Sequence, residues 1–178
     1  TNLIESYDQL MEFGRKHLSD KFFIEGVEWK NLRNIITKEM IANTLIHREF
    51  TSSYTANFVI EKDRMYTENA NRSSGDGIIT PDNMEPNPKN PIIASFFRNI
   101  GWSDRLGSGV RNIFKYSKYY SGKEPEFIEG DVFRIIVPLN EDYSYDNVKN
   151  GDKKTAIKND DKKISKKTIQ NYKKILEF

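Results

Sequence analysis

The chain has 178 residues, enough for one domain of ordinary core size plus an appendage, and its eleven Phe, nine Tyr and two Trp supply large apolar side chains for that core despite 30% charged residues. The absence of cysteine excludes disulfides, thiolate metal sites and a Cys nucleophile; with no apolar run near the roughly 20 residues of a membrane helix and no signal-peptide pattern at the N-terminus, a cytoplasmic, membrane-free protein is expected. The net charge of +2 is unevenly spread: residues 141–178 carry ten Lys against seven acids, and the remainder carries eighteen basic residues against nineteen acids, so any nucleic-acid footprint is expected at the C-terminal end.

Taken in chain order, "NLIESYDQLMEFGRKHL" has the 3.6-residue apolar period of a helix ending near Leu18. "KFFIEGVEWKNL" reads as an extended or looped connection. "RNIITKEMIANTLIHREF" resumes helical spacing with Ile35, Ile36, Met40, Ile41, Leu45 and Ile46. A hairpin follows, in which Phe58, Val59 and Ile60 face Met65, Tyr66 and Thr67 across the polar Glu61–Arg64 turn. Residues 69–90 concentrate Asn, Ser, Gly and Pro and read as a long functional or mobile loop.

"NPIIASFFRNIGW" predicts a helix with Pro91 in its first turn and Gly101 just past its end. "VRNIFKYSKYYSG" predicts another, closed by Gly122, and "EPEFIEGDVFRIIVPL" a second hairpin turning at Glu129-Gly130-Asp131. Helices and strands mix without a βαβ repeat, so the expected fold is α+β: a two-layer sandwich with helices on one face of a mixed, mostly antiparallel sheet. Domain 1–140 is expected to be followed by a polar linker over 141–164 and by the start of a helical module over 165–178, where "SKKTIQNYKKILEF" regains an apolar period.

Chemistry has few places to sit. Glu39, Asn43 and His47 lie four apart along the second helix, a spacing that lets an amide oxygen hold Mg²⁺ while a carboxylate orients or deprotonates a water; the same spacing also describes a solvated helix face. Gly107-Ser108-Gly109 precedes a helix, where unpaired N–H groups and a partial positive charge attract anions, although a small-residue turn looks the same in sequence. Arg48 could reach a phosphate or pair at the helix end. With two His in the chain a two-His metal site is not expected, and no P-loop, strand-linked G-x-G-x-x-G or G-x-S-x-G motif occurs, which excludes a P-loop helicase motor in these residues.

Together, "KEMIANTLIHREF", "EKDRMYTENAN", "PNPKNPIIASFFRNIGWSDRLGSGVRNI" and "PEFIEGDVFRIIVPL", in that order over about residues 5–140, resemble the C-terminal ATP-binding domain of bacterial transcriptional regulators often labelled RecG-related ATP-dependent helicases. Those regulators usually carry an AlbA-like, Schlafen-type DNA-binding domain upstream, and the ATP-binding domain is related to the GHKL ATPases of Bergerat-type fold. The resemblance implies ATP and Mg²⁺ as cofactors, Glu39 as general base, Asn43 as Mg²⁺ ligand, Gly107, Ser108 and Gly109 as phosphate contacts, and residues 70–90 as a lid. It also implies that the triphosphate fits between the second helix and the glycine-rich bend. Asn69 falls near the adenine-reading position, but Asn69-Ala70-Asn71-Arg72 stands where relatives commonly have Asn-Pro-Gly-Gly. Expected partners are DNA, through attached modules such as a winged helix or through the basic C-terminal segment, and a second copy of the chain. The alternative is a catalytically inactive scaffold that tethers DNA-binding modules.

Overall fold

The computed structural model describes residues 2–71, 77–83, 88–103 and 108–140. The linker and helical module expected over 141–178 lie outside these described residues, as does Gly107.

Helix α1 (Leu3–His17) starts at a reciprocal capping box: the Asn2 side chain accepts from Glu5 N at 2.9 Å while the Glu5 carboxylate accepts from Asn2 N. Its last carbonyls are met from outside. Arg33 donates from Nη1 to the carbonyls of Arg15 and Leu18 at 3.2 Å each, and its Nη2 lies 2.6 Å from Asp20 Oδ1. Strands β1 (Phe22–Glu25) and β2 (Glu28–Asn31) form a small antiparallel hairpin in the segment expected to be a connection, turning at Gly26 with φ +64°. Lys115 and Tyr116 both bond the Glu25 carboxylate, and Phe23 stacks on Tyr119 at 4.1 Å, so this hairpin is held to the helix that contains them.

Helix α2 (Leu32–His47) is capped by the Asn31 side chain, which accepts from Asn34 N at 2.9 Å. It ends three residues short of Phe50, where the segment read as helical closes, as Arg48 takes an extended conformation (ψ 136°). The final carbonyls are satisfied by asparagines from afar: Asn90 Nδ2 donates to Ile46 O at 2.9 Å and Arg48 O at 2.8 Å, and Asn69 Nδ2 to His47 O at 3.3 Å.

Strands β3 (Asn57–Ile60) and β4 (Arg64–Ala70) pair in the expected register, Ile60 with Met65 and Phe58 with Thr67. A two-residue strand, β5 (Gly77–Ile78), breaks the loop expected over 69–90 by pairing with β6 (Glu126–Glu129). Helices α3 (Pro91–Asn99) and α4 (Ser108–Ser121) follow as expected, and β7 (Val132–Pro138) completes the second hairpin. The five-stranded sheet has the order β3-β4-β7-β6-β5, and every pairing among the described residues is antiparallel.

The period-2 alternation of β4 and β7 decides which face is covered. Met65, Thr67 and Asn69 stand opposite Val137, Ile135 and Phe133, and all six are buried under the helices. One apolar cluster joins Ile36, Met40, Ile113 and Tyr120 of α2 and α4 to Phe127 and Ile135 of the sheet. A second joins Tyr7, Ile41, Leu45, Ala94 and Phe97 of the first three helices. The architecture is therefore the two-layer α+β sandwich that the sequence predicts. Gly14 brings the outer helix close: a methyl group there would lie 2.7 Å from Thr37 Cγ2, so only a residue without Cβ lets α1 rest on α2 at this distance.

Candidate functional site

Helix α2 is central to the helical layer, and its buried polar residues are the exceptions that call for a reason. Glu39 is 2% exposed on a helix whose other buried residues are mostly apolar. Its Oε1 accepts from Asn112 Nδ2 of α4 at 3.1 Å. A methyl group built on Gly109 would lie 2.6 Å from Glu39 Oε2 and 3.1 Å from Asn43 Nδ2. The carboxylate and the amide therefore both bear on the first turn of α4, and the glycine is what permits the contact.

Asn43 is half-buried, and its Nδ2 donates to Glu39 O at 2.8 Å one turn back. That bond turns the amide's donor onto the helix itself and leaves Oδ1 without a hydrogen-bond partner among the described residues. Ser108 opens α4, whose first N–H groups lack the intrahelical carbonyls available further along. An oxygen free to bind a cation, a carboxylate and the positive end of a helix thus meet in one place. Glu39 and Asn43 thus lie directly against Gly109, with no gap between the carboxylate and the glycine. The physical reason is the glycine, which lets the two helices close on each other.

Asn69 lies on the covered face of β4 with 0% exposure. Its Nδ2 is engaged by the carbonyls of His47 and Ala70, but its Oδ1 is buried with no hydrogen-bond partner. A buried carbonyl oxygen left unpaired costs about 1–3 kcal/mol, so such an atom calls for a donor that arrives from elsewhere. Asn71 is different, because its Nδ2 is spent on Gly130 O at 3.0 Å.

Arg48 is not part of this grouping. Nine residues after Glu39, it falls about 180° around the helix. It lines a cavity beside α1 and β3 instead. The structure therefore brings together Glu39, Asn43, Ser108 and Gly109, sets Asn69 at the strand end next to the terminus of α2, and places Arg48 in the lining of a cavity beside α1 and β3.

Three residues near the site escape a reading of spacing. Asn112 holds Glu39 from the next turn of α4, a position that the interval of three from Gly109 could have signalled. Asn90, which looks like a helix N-cap before Pro91, spends its side chain on the end of α2. Tyr7 stacks on Trp102 with centroids 3.9 Å apart, and burial, with the Glu39 charge next in importance, pushes its hydroxyl up to about 12.

His47 offers a pH handle. Burial, aided by the charge of Lys89, lowers its imidazole to about 4. The folded state thus resists a proton that the unfolded chain takes up near 6.5, so stability present above that value is lost as pH falls towards 4. Urea unfolding should show a loss of about 1.6 kcal/mol between pH 6.5 and pH 5, below the full 1.36 kcal/mol per unit because the unfolded imidazole is only half protonated at 6.5. The slope should flatten in His47→Leu.

Residues 59–137 match the family model described as "Putative ATP-dependent DNA helicase recG C-terminal", an ATPase-like domain. The matched region runs from β3 to β7 and includes Asn69, Ser108 and Gly109, while α2 with Glu39 and Asn43 lies ahead of it. Among solved structures, the chain is similar to the DIP2311 protein from Corynebacterium diphtheriae, with a TM-score of 0.62 and 19% identity, over 79% of this chain and 30% of that one. The likeness shows a shared fold, and this chain corresponds to under a third of that protein's length. No curated protein matches the sequence. Among the described residues no helix is long and apolar enough to cross a membrane, and no group of three or more His, Cys, Asp and Glu is placed to hold a metal.

Proposed function

We propose that this domain binds Mg-ATP across the N-terminal end of α4, and that it serves as the nucleotide-responsive part of a DNA-associated regulator. The observation that carries the reading is the approach of Glu39 and Asn43 to Gly109, supported by the match of residues 59–137 to an ATPase-like domain. Asn43 Oδ1 would hold Mg²⁺, a hard ion that accepts one or two protein oxygens and completes its shell with water and phosphate. The ion would neutralise phosphate charge. The first N–H groups of α4, from Ser108 and Gly109, would meet the phosphate oxygens. Glu39, locked by Asn112, is the group that would orient an attacking water, which makes any turnover slow. Asn69 Oδ1 is an acceptor in want of a donor, and the exocyclic amine of adenine supplies one where the corresponding oxygen of guanine does not.

A second reading follows from the direct contact between Glu39 and the α4 turn: a scaffold in which these polar groups only fasten two helices. Thermal unfolding separates the two. Mg-ATP should raise the midpoint, Mg-GTP should raise it less, and ATP with EDTA should do little; a midpoint indifferent to all three favours the scaffold. DNA contact through attached modules or through residues 141–178, and pairing with a second copy, belong to the same proposal. A DNA-binding signal that falls steeply with salt and persists without residues 141–178 would remove the tail from it.

A further inference from the structure

On the opposite side of α2 from Glu39, a cavity of about 420 Å³ opens between α1, α2 and the β3–β4 hairpin. Leu10, Phe13, Leu45 and Phe58 form apolar walls, and Arg48 supplies a single charge. The twelve lining residues include no carboxylate and no second cation. Arg48 is in an unusual state for a half-buried guanidinium: its Nε is buried with no hydrogen-bond partner, and among the described residues no acid pairs with it. Its guanidinium carbon lies 5.2 Å from the centroid of the Phe50 ring.

Buried cationic groups are ordinarily paired, because desolvating a charge without a partner is costly. Here Arg48 lines an apolar chamber with its Nε shut off from solvent, and no acid among the described residues meets the guanidinium. The geometry points to a binding site for a small monoanionic amphiphile, a carboxylate carrying an aliphatic chain or a ring. The carboxylate matches the guanidinium in charge and in its paired-oxygen geometry, and the apolar body occupies the walls. A dianionic phosphate would find one cation where it wants two or more. A neutral apolar molecule would leave the Arg48 donors unmet. The site lies on the reverse of α2 from the proposed nucleotide site and does not depend on that reading.

Titration of the full chain with octanoate, 1-octanol and acetate, followed by calorimetry and by methyl NMR of Leu10 and Leu45, tests this directly. Octanoate should bind saturably at one site and shift those methyl signals, while 1-octanol and acetate should each bind at least tenfold more weakly. Arg48→Gln should weaken octanoate at least tenfold while the response to Mg-ATP stays that of the wild type, and Arg48→Lys should lose part of the affinity by keeping charge without the fork. Equal binding of octanol and octanoate, an unaltered octanoate affinity in Arg48→Gln, or no saturable octanoate binding would each overturn the assignment.

Discussion

Gly109→Val is expected to abolish the response to Mg-ATP and to destabilise the domain by about 1–3 kcal/mol, the usual range for overpacking a filled interior. The new Cβ would arrive 2.6 Å from Glu39 Oε2 and 3.1 Å from Asn43 Nδ2. A carboxylate at the end of a flexible chain could ordinarily swing aside. This one is 2% exposed and bound to Asn112, so the first turn of α4 has to retreat instead. Gly109→Ala separates sterics from propensity: alanine gains roughly 0.5–1 kcal/mol over glycine within a helix, which opposes the clash. Its stability should fall nearer to wild type while the nucleotide response still drops. Chemical denaturation of both variants, with and without Mg-ATP, checks the pair. A valine variant with unchanged stability would mean that α4 does not approach α2 as described.

Phe97→Ala should be the more damaging change to the fold, at about 3–5 kcal/mol for a buried aromatic truncation. Phe97 is fully buried and meets Tyr7 edge-on at 5.8 Å and Trp102 at 5.5 Å. Its carbonyl also receives Trp102 N at 2.7 Å and Ser103 N at 3.3 Å, so it fixes the turn that leaves α3. Phe96, the adjacent residue, is 42% exposed and provides the internal comparison. Its replacement by alanine should stay within about 0.5 kcal/mol, as surface substitutions usually do. Urea melts of the two variants should differ by several kilocalories per mole; similar losses would contradict the packing of α3 on α1.

The parts of the fold that were legible in the sequence are those with local causes. The β3–β4 register follows from alternation around a polar turn, and α3 starts at Pro91 and stops before Gly101, which adopts φ +76°. The β1–β2 hairpin was not legible, because its apolar residues face both ways: Phe23 packs inward, while Phe22, Ile24 and Trp29 are 52–71% exposed, which erases the alternation. Strand β5 is too short to carry a pattern, and only its partner β6 defines it. At the site, the interval of four announced Glu39 and Asn43. No spacing could announce that Gly109 touches them, since that contact spans about seventy positions of sequence. Arg48 lies nine positions after Glu39, and helical rotation sets it in the lining of the cavity beside α1 and β3, a placement no motif announced.

The central claim is that Asn43 serves a magnesium-bound triphosphate and not merely the packing of α2. Calorimetric titration of Mg-ATP into the wild type and into Asn43→Ala, each with its urea midpoint measured alongside, is the most direct trial. The account predicts one saturable site in the wild type that EDTA removes, and at least tenfold weaker binding in a variant that remains folded. Equal affinity in the two proteins, or no binding to the wild type, would contradict it.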